Sequence, residues 1–386
     1  MVKALGIDPG TGSFDLVVVE GGHVVAERSV STFEVAKKPE VLVKVVKELG
    51  GVDLIAGPSG YGVPLTFNSD IVEPRIFALE VLLLTREEDL ELGIKSGEVG
   101  MAVYDALAKV VEEFWRKGLK VCYIPSVILL PTVPDFRKIN KLDMGTADKM
   151  AVAVLGVIDQ SRELGLNYKE TSFILVEVGF GYNAVIGVKE GLIVDGLGGS
   201  LVQTGFLTVG ALDAEVAVLG RLWVRSDVFH GGVADICGTY DIDQVVRGYL
   251  SGEEPYTTAF KAFIDGILKA VAAVHTSIRK PKEVLLSGRY SRNKVIREIL
   301  EEALSKYAPV RRLKGLEGAK VSKEAAQGYA VVAEGVAGGE FSDLVKRMKI
   351  PEARGTVADW IRHPRLREMR ERLRRTYSEV VRNPKL

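Results

Sequence analysis

Short apolar runs of strand length alternate with longer stretches whose apolar positions recur at helical spacing, and this pattern divides the chain into two α/β halves. Ala4 to Ile7 and Leu16 to Val19 are apolar runs parted by Pro9, Gly10 and Gly12, which predicts strand, tight turn, strand. A third strand is expected over Val24 to Thr32. Pro39 then opens a helix with Val41, Leu42, Val45, Val46 and Leu49 on one side, ended by Gly50 and Gly51. Asp53 to Ala56 reads as a short buried strand entering the loop Gly57-Pro58-Ser59-Gly60-Tyr61-Gly62. Residues 68–98, with the acidic run Glu87-Glu88-Asp89, read as an insertion on the solvent side. Val103, Leu107, Val110, Val111 and Phe114 predict a helix over 100–117. Lys120 to Ile124 and Val127 to Leu130 read as strands, punctuated by Pro125, Pro131 and Pro134.

The string Asp143-Met144-Gly145-Thr146-Ala147-Asp148-Lys149 enters a helix carrying Ala151, Val154, Leu155 and Ile158. From Phe173 the opening logic repeats. A buried strand ends at Glu177 and Val178, the turn Gly179-Phe180-Gly181 follows, and Ala184 to Val188 returns as a strand. Leu192 to Val194 is a third strand, and helices are expected over 211–219 and from Thr257 to Ser277, the latter buried between other elements. Glu283 to Leu286 is a strand ending in Ser287-Gly288-Arg289-Tyr290, then a helix runs through Leu304, and Ser322 serves as N-cap of another. The expected division is a first lobe over 1–165, a second over 166–340, and a helical basic tail over 341–386.

Composition narrows the class. The chain has 386 residues, 47% hydrophobic and 26% charged, as expected of a globular protein long enough for two lobes. A formal net charge of zero removes any bulk electrostatic case for nucleic acid or membrane. The tail interleaves Glu with Lys and Arg, which reads as a docking or oligomer helix rather than a nucleic-acid arm. Cys122 and Cys237 stand far apart with no CxxC, arguing for a reducing, cytoplasmic setting without disulfides, cluster or structural zinc. There is no signal-like segment and no run long enough to span a bilayer. Scarce Gln with abundant Lys, Arg and Glu fits a thermophilic source.

Candidate chemistry sits in the glycine turns. A turn dense in Gly, Thr and Ser exposes successive N–H groups and hydroxyls, a surface for phosphate oxygens, although an ordinary glycine hairpin has the same composition. Asp8 beside such an anion requires a cation between them, which points to a divalent metal. No Gly-Lys-Ser/Thr follows, so the turn is not a Walker loop. Thr146 or Asp143 explains a helix N-cap, leaving Asp148 and Lys149 for chemistry. In Arg225-Ser226-Asp227-Val228-Phe229-His230-Gly231-Gly232, Arg225 and His230 suit an anionic ligand, or an Arg225–Asp227 surface pair and a structural histidine.

Taken together, these strings resemble the superfamily of acetate and sugar kinases, heat-shock ATPases and actin. GIDPGTGS (6–13) is similar to its first phosphate loop, LVEVGFGYNAVIGVKEGLIVDG (175–196) to its second, with Glu177 where Asp is commoner, and VLLSGRYSR (284–292) to its adenosine segment, with Arg289 interrupting the usual glycines. The helices at Thr257–Ser277 and Ser322–Ala337 fit its two interlobe helices. DMGTADK, GRYSR and RSDVFHGG most resemble an archaeal family of predicted butyrate kinases. The resemblance implies a two-lobed actin-like ATPase fold of duplicated ribonuclease H-like domains, with nucleotide between the lobes. It implies ATP with Mg²⁺, the metal meeting Asp8, Glu177 or Asp148, and phosphates held by Gly10, Thr11, Gly12, Ser13, Gly179, Phe180 and Gly181. Gly288, Arg289 and Tyr290 would border the adenosine, and Ser59, Asp143, Lys149 and His230 would meet the acceptor.

A carboxylate acceptor is already ionised and needs no general base. Arg225 would then gather the equatorial oxygens, since its context resembles the arginine loop of acetate kinases. An alcohol acceptor, as in a sugar or polyol kinase, would use Asp148 as base. An ATP-binding switch like actin or the heat-shock ATPases would use the same loops without a small-molecule acceptor.

Overall fold

The computed structural model describes the chain except Thr11, Val321 and the side chain of Val99. The expectation for Thr11 therefore lies outside the described residues. Eleven strands are described: β1 (Lys3–Pro9), β2 (Ser13–Glu20), β3 (His23–Ser31), β4 (Leu54–Ala56), β5 (Thr66–Phe67), β6 (Val121–Tyr123), β7 (Phe173–Val178), β8 (Asn183–Lys189), β9 (Leu192–Leu197), β10 (Glu283–Ser287) and β11 (Val310–Arg312). One sheet has the order β3-β2-β1-β4-β6-β5 and the other β11-β10-β7-β8-β9. Each begins as an antiparallel three-strand meander and continues through parallel strands, β1 to β4 to β6 and β7 to β10 to β11.

The apolar runs are continuous because both faces of each sheet are covered. In β1 and β2, Ala4, Val17 and Val19 face a core shared with the second sheet, whereas Leu5, Ile7, Leu16 and Val18 face an outer core. In β7, Phe173 and Leu175 face the shared core, and Ile174, Val176 and Val178 face outward. Between the sheets lie the helices Ala147–Leu164 and Glu324–Val336. Close approach is built in: a Cβ on Gly6 would sit 2.2 Å from both Ala326 O and Ala330 N, so only glycine lets β1 touch the second helix.

Several expectations are corrected. The Thr257–Ser277 stretch forms the helix Tyr256–Ile278, but it covers the outer face of the second sheet, where Phe260, Phe263 and Val271 pack with Val176 and Val185. The interlobe place belongs to Ala147–Leu164, whose Ala151 and Ala147 suit a thin layer between sheets. Residues 68–98 are not a solvent-side excursion: Phe77, Leu79, Val81, Leu82, Leu83 and Leu90 are buried in the first lobe's outer core. Arg75 fastens the segment through Glu87 (2.9 and 2.6 Å) and Glu112 (3.2 Å). Val127–Leu129 is a buried 3₁₀ turn rather than a strand, flanked by prolines that remove ladder donors. The last interlobe helix starts at Glu324 with Lys323 in the N-cap position, and Ser322 Oγ instead accepts from Gln327 Nε2 (3.4 Å).

The tail is also corrected. Phe341, Leu344, Met348 and Ile350 lie in the shared core, and Leu373 from the helix Arg367–Val380 joins them. Tyr377 and Val380 enter the first lobe's outer core, and Val381 bridges Ile71. The helix expected to dock a partner thus spends its apolar side on its own chain. Among the described residues, no helix is long and apolar enough to cross a membrane.

Candidate active site

The two glycine turns face one cavity of about 1050 Å³ between the lobes. β1 delivers Asp8 and the first turn delivers Gly10, Gly12 and Ser13. β7 delivers Glu177, and its turn Gly179, Phe180 and Gly181. The strand ends meet there because each sheet places its central antiparallel hairpin at the same edge of the cleft. The start of the helix Ala147–Leu164 adds Asp148 and Lys149, with Thr146 and Asp143 just before it. The turn after β10 adds Gly288 and Arg289, and Gly288 has φ +86° with Val178 O only 2.6 Å from a built Cβ. Arg289 Cζ lies 5.1 Å from the centroid of the Phe180 ring, joining that turn to the second hairpin.

The floor is a set of carboxylates laced by two lysines. Lys149 Nζ donates to Asp148 Oδ2 at 2.7 Å and closely contacts Glu177 Oε2 across the lobes. Lys323 Nζ lies 3.0 Å from Asp15 Oδ2 and 3.7 Å from Asp8 Oδ2, and donates to Ser13 Oγ at 3.2 Å. Burial pushes the Asp8 carboxyl up to about 6, against the pull of Lys323 and with Asp148 and Asp15 adding to the rise. Burial likewise pushes Glu177 up to about 7, opposed by Lys149. For Asp148 burial works upward too, but the Lys149 charge and the hydrogen bonds from Lys149 and Thr146 win, and the carboxyl lies below its ordinary range. Asp143 is raised by burial despite amide bonds from Gly145 and Ser200.

This donor set fits a divalent cation. Asp8, Asp15, Asp148 and Glu177 face the two ammonium groups of Lys149 and Lys323, so carboxylates outnumber cations on the floor. Among the described residues no group of three side chains is arranged to hold a metal. A magnesium ion uses one or two carboxylates and completes its shell with water and phosphate oxygens, so no protein cage is required.

Not every expected residue reaches the cavity. Ser59 is fully buried, donating to Gly57 O (2.8 Å) and accepting from Ile124 N (3.0 Å), and ties its loop to β6. Tyr290 is buried too, edge-on to Phe206 at 5.0 Å, so it supports the second hairpin instead of offering a face to a base. Arg225 does not line the cavity. Its Nη2 donates to Tyr104 OH (2.8 Å) and Tyr61 OH (3.0 Å), which do line it. No Arg225–Asp227 pair forms, and Asp227 accepts from Val224 N instead. His230 lines the cavity and pairs with Glu98 Oε2 of the first lobe at 2.8 Å, a hydrogen bond that raises its pKa.

Sequence reasoning missed Lys323, Asp15, Tyr61 and Tyr104 as site residues. Tyr61 carried a signal, since it stands in a glycine loop after a buried strand. Lys323 had none, because its partners lie at the other end of the chain.

Two α/β lobes of matching strand order, closed on a cleft lined by their hairpins, define a two-lobed actin-like ATPase fold. Within it, the chain belongs to the family described as "Protein of unknown function (DUF1464)", which matches residues 6–363. The fold is similar to a propionate kinase from Francisella tularensis, at TM-score 0.57 and 13% identity over 86% of this chain and 98% of that one. It is similar to an acetate kinase from Porphyromonas gingivalis, at TM-score 0.54 and 15% identity over 90% and 100%. A ROK family glucokinase from Streptomyces griseus, in complex with glucose and AMPPNP, aligns at TM-score 0.46 and 13% identity over 86% and 99%. No curated protein matches the sequence.

Proposed function

We propose that this protein is an ATP-dependent phosphotransferase whose acceptor is a small carboxylate. The observation that carries the reading is the meeting of Asp8 and Glu177, each heading a glycine turn, on one cavity floor with Asp148, Lys149 and Lys323. The N–H groups of Gly12 and Gly181 are suited to phosphate oxygens, while those of Gly10 and Gly179 close the two hairpins on Ser13 O (3.0 Å) and Tyr182 O (3.1 Å), and Arg289 on Phe180 is suited to the nucleotide's other end. Lys149 and Lys323 neutralise charge on the transferring phosphoryl group. Asp8, Glu177 and Asp148 would hold Mg²⁺, which supplies further neutralisation of phosphate charge.

The state of Asp148 favours a carboxylate acceptor. It is held ionised and engaged by Lys149 and Thr146, a poor disposition for taking a proton from an alcohol. A carboxylate oxygen attacks the γ-phosphorus directly, the bond to the β–γ bridging oxygen breaks, and ADP leaves with that electron pair. Arg225 acts as a positioning residue that sets the Tyr61 and Tyr104 hydroxyls at the acceptor end. The names of the acetate and propionate kinases of similar fold, and the resemblance to predicted butyrate kinases, support this reading.

The test is ATP consumption with acetate, propionate and butyrate in the presence of hydroxylamine, which converts acyl phosphates to hydroxamates. Acceptor-dependent hydroxamate is the expected product. ATP-dependent phosphorylation of sugars or polyols with no hydroxamate from any acid would overturn the carboxylate assignment, and an acceptor-independent ATPase would overturn the transferase.

A further inference from the structure

Residues 211–224 contain no buried side chain, although the stretch Ala-Glu-Val-Ala-Val-Leu-Gly-Arg-Leu-Trp-Val is among the most apolar on the surface. Val218 is 68% exposed, Leu219 80% and Leu222 97%, with Val216, Trp223 and Val224 each nearly half exposed. Arg221 and Leu222 both adopt left-handed backbone, φ +51° and +49°, which turns Leu222 out into solvent. None of these side chains lines the cavity. The helix Ala214–Gly220 is a seven-residue element, too short to hold itself together in water without packing.

We propose that this segment is a self-association surface, on which a second copy of the chain docks about a two-fold axis. Size is the first argument. Three of the six residues are more than two-thirds exposed, and together they form an exposed apolar patch on the order of several hundred Å², the size that marks an association site. Charge is the second. Asp213 and Glu215 stand at the start of the helix and Arg221 just past its end, and neither Glu215 nor Arg221 has an ion-pair partner among the described residues. Antiparallel pairing of the helix with its symmetry mate brings each Arg221 against the other copy's Glu215, the self-complementarity that a two-fold interface requires. The segment ends one residue before Arg225, so docking also braces the approach to the Tyr61 and Tyr104 contacts. The inference does not depend on what the cavity binds.

The experiment is light scattering on the full chain at micromolar concentration. The expected mass is twice the 42.0 kDa of one chain. Leu219→Asp with Leu222→Asp should give a monomer with an unchanged far-ultraviolet circular dichroism spectrum and a cooperative melt, since neither side chain is part of the folded core. Arg221→Glu should weaken the dimer, and Arg221→Glu combined with Glu215→Arg should restore it. A monomeric wild-type protein, or a dimer that survives the double aspartate variant, overturns the proposal. Failure of the charge swap to restore pairing overturns the two-fold geometry. A monomer whose segment 214–224 gains protease protection only on adding ATP overturns pairing in favour of a lid.

Discussion

Lys149, in the first turn of an interlobe helix, meets Glu177 at the end of the second lobe's central strand, while its ammonium also bonds Asp148 at 2.7 Å. One cation thus joins the two lobes at the floor of the cavity. Burial alone works to lower the Lys149 pKa, but its two carboxylates win and hold it charged.

Removing that cation should be costly. Lys149→Met leaves Asp148 and Glu177 buried without it, and breaking a buried pair from one side costs about 3–5 kcal/mol. Glu177→Gln should cost far less, because Lys149 keeps Asp148. The double variant should recover part of the loss. Chemical denaturation of the three proteins checks the order, and a Lys149→Met variant as stable as wild type contradicts it.

The carboxylates also fix a pH dependence of unusual sign. Asp8 and Glu177 titrate near 6 and 7 in the folded state and near 4 when unfolded, so between those values the folded chain holds more protons. Stability should therefore fall as pH rises from about 4 to 7, by up to ~3 kcal/mol for Glu177. Glu177→Gln should flatten this part of the profile. Adding Mg²⁺ with ATP near pH 6.5 should release protons, which calorimetry in buffers of different ionisation enthalpy can count. A wild-type profile rising through this window in parallel with the variant's would refute the assignment.

Under the proposed positioning of the Tyr61 and Tyr104 hydroxyls by Arg225, loss of Arg225 should appear in acceptor kinetics. Arg225→Ala should lower kcat/KM for the carboxylate by about a hundredfold or more, with the melting shift produced by ATP unchanged. Arg225→Lys should be nearly as poor, because a compact ammonium lacks the guanidinium plane that packs among the rings of Tyr61, Tyr104 and Phe229, at 5.5, 5.4 and 5.6 Å from their centroids. Tyr104→Phe should lose about tenfold, the worth of one hydrogen bond to a charged group. A weakened ATP shift with normal acceptor KM would move Arg225 to the nucleotide end.

Gly6→Ala should destabilise by about 3 kcal/mol or more, since the new methyl meets main-chain atoms that cannot move aside. Gly12→Ala meets only the Arg289 guanidinium at 3.7 Å and should leave the melting temperature nearly unchanged. Equal losses at the two positions would refute the tight seat of β1 on its helix.

Both hairpins, their acidic residues and the helix start at Asp148 were legible in the sequence, because each signal is local. A short continuous apolar run on each side of a glycine turn specifies a hairpin whatever it packs against, and two such hairpins implied two lobes. Residues that depend on stacking were not legible. The helices Ala147–Leu164 and Tyr256–Ile278 are both broadly apolar, and only the close seat of Ala151 on Gly328 of the neighbouring interlobe helix decides which of them fits between the sheets. Ser59 and Tyr290 sit in loops of the right composition, yet their side chains turn inward because buried backbone groups and aromatic neighbours claim them. Lys323 reaches Asp15 from some three hundred residues away, and Arg225 reaches Tyr61 across the cleft. Main-chain geometry follows from neighbours in sequence, whereas the partner of a long charged side chain follows from which surfaces the folded sheets bring within its length.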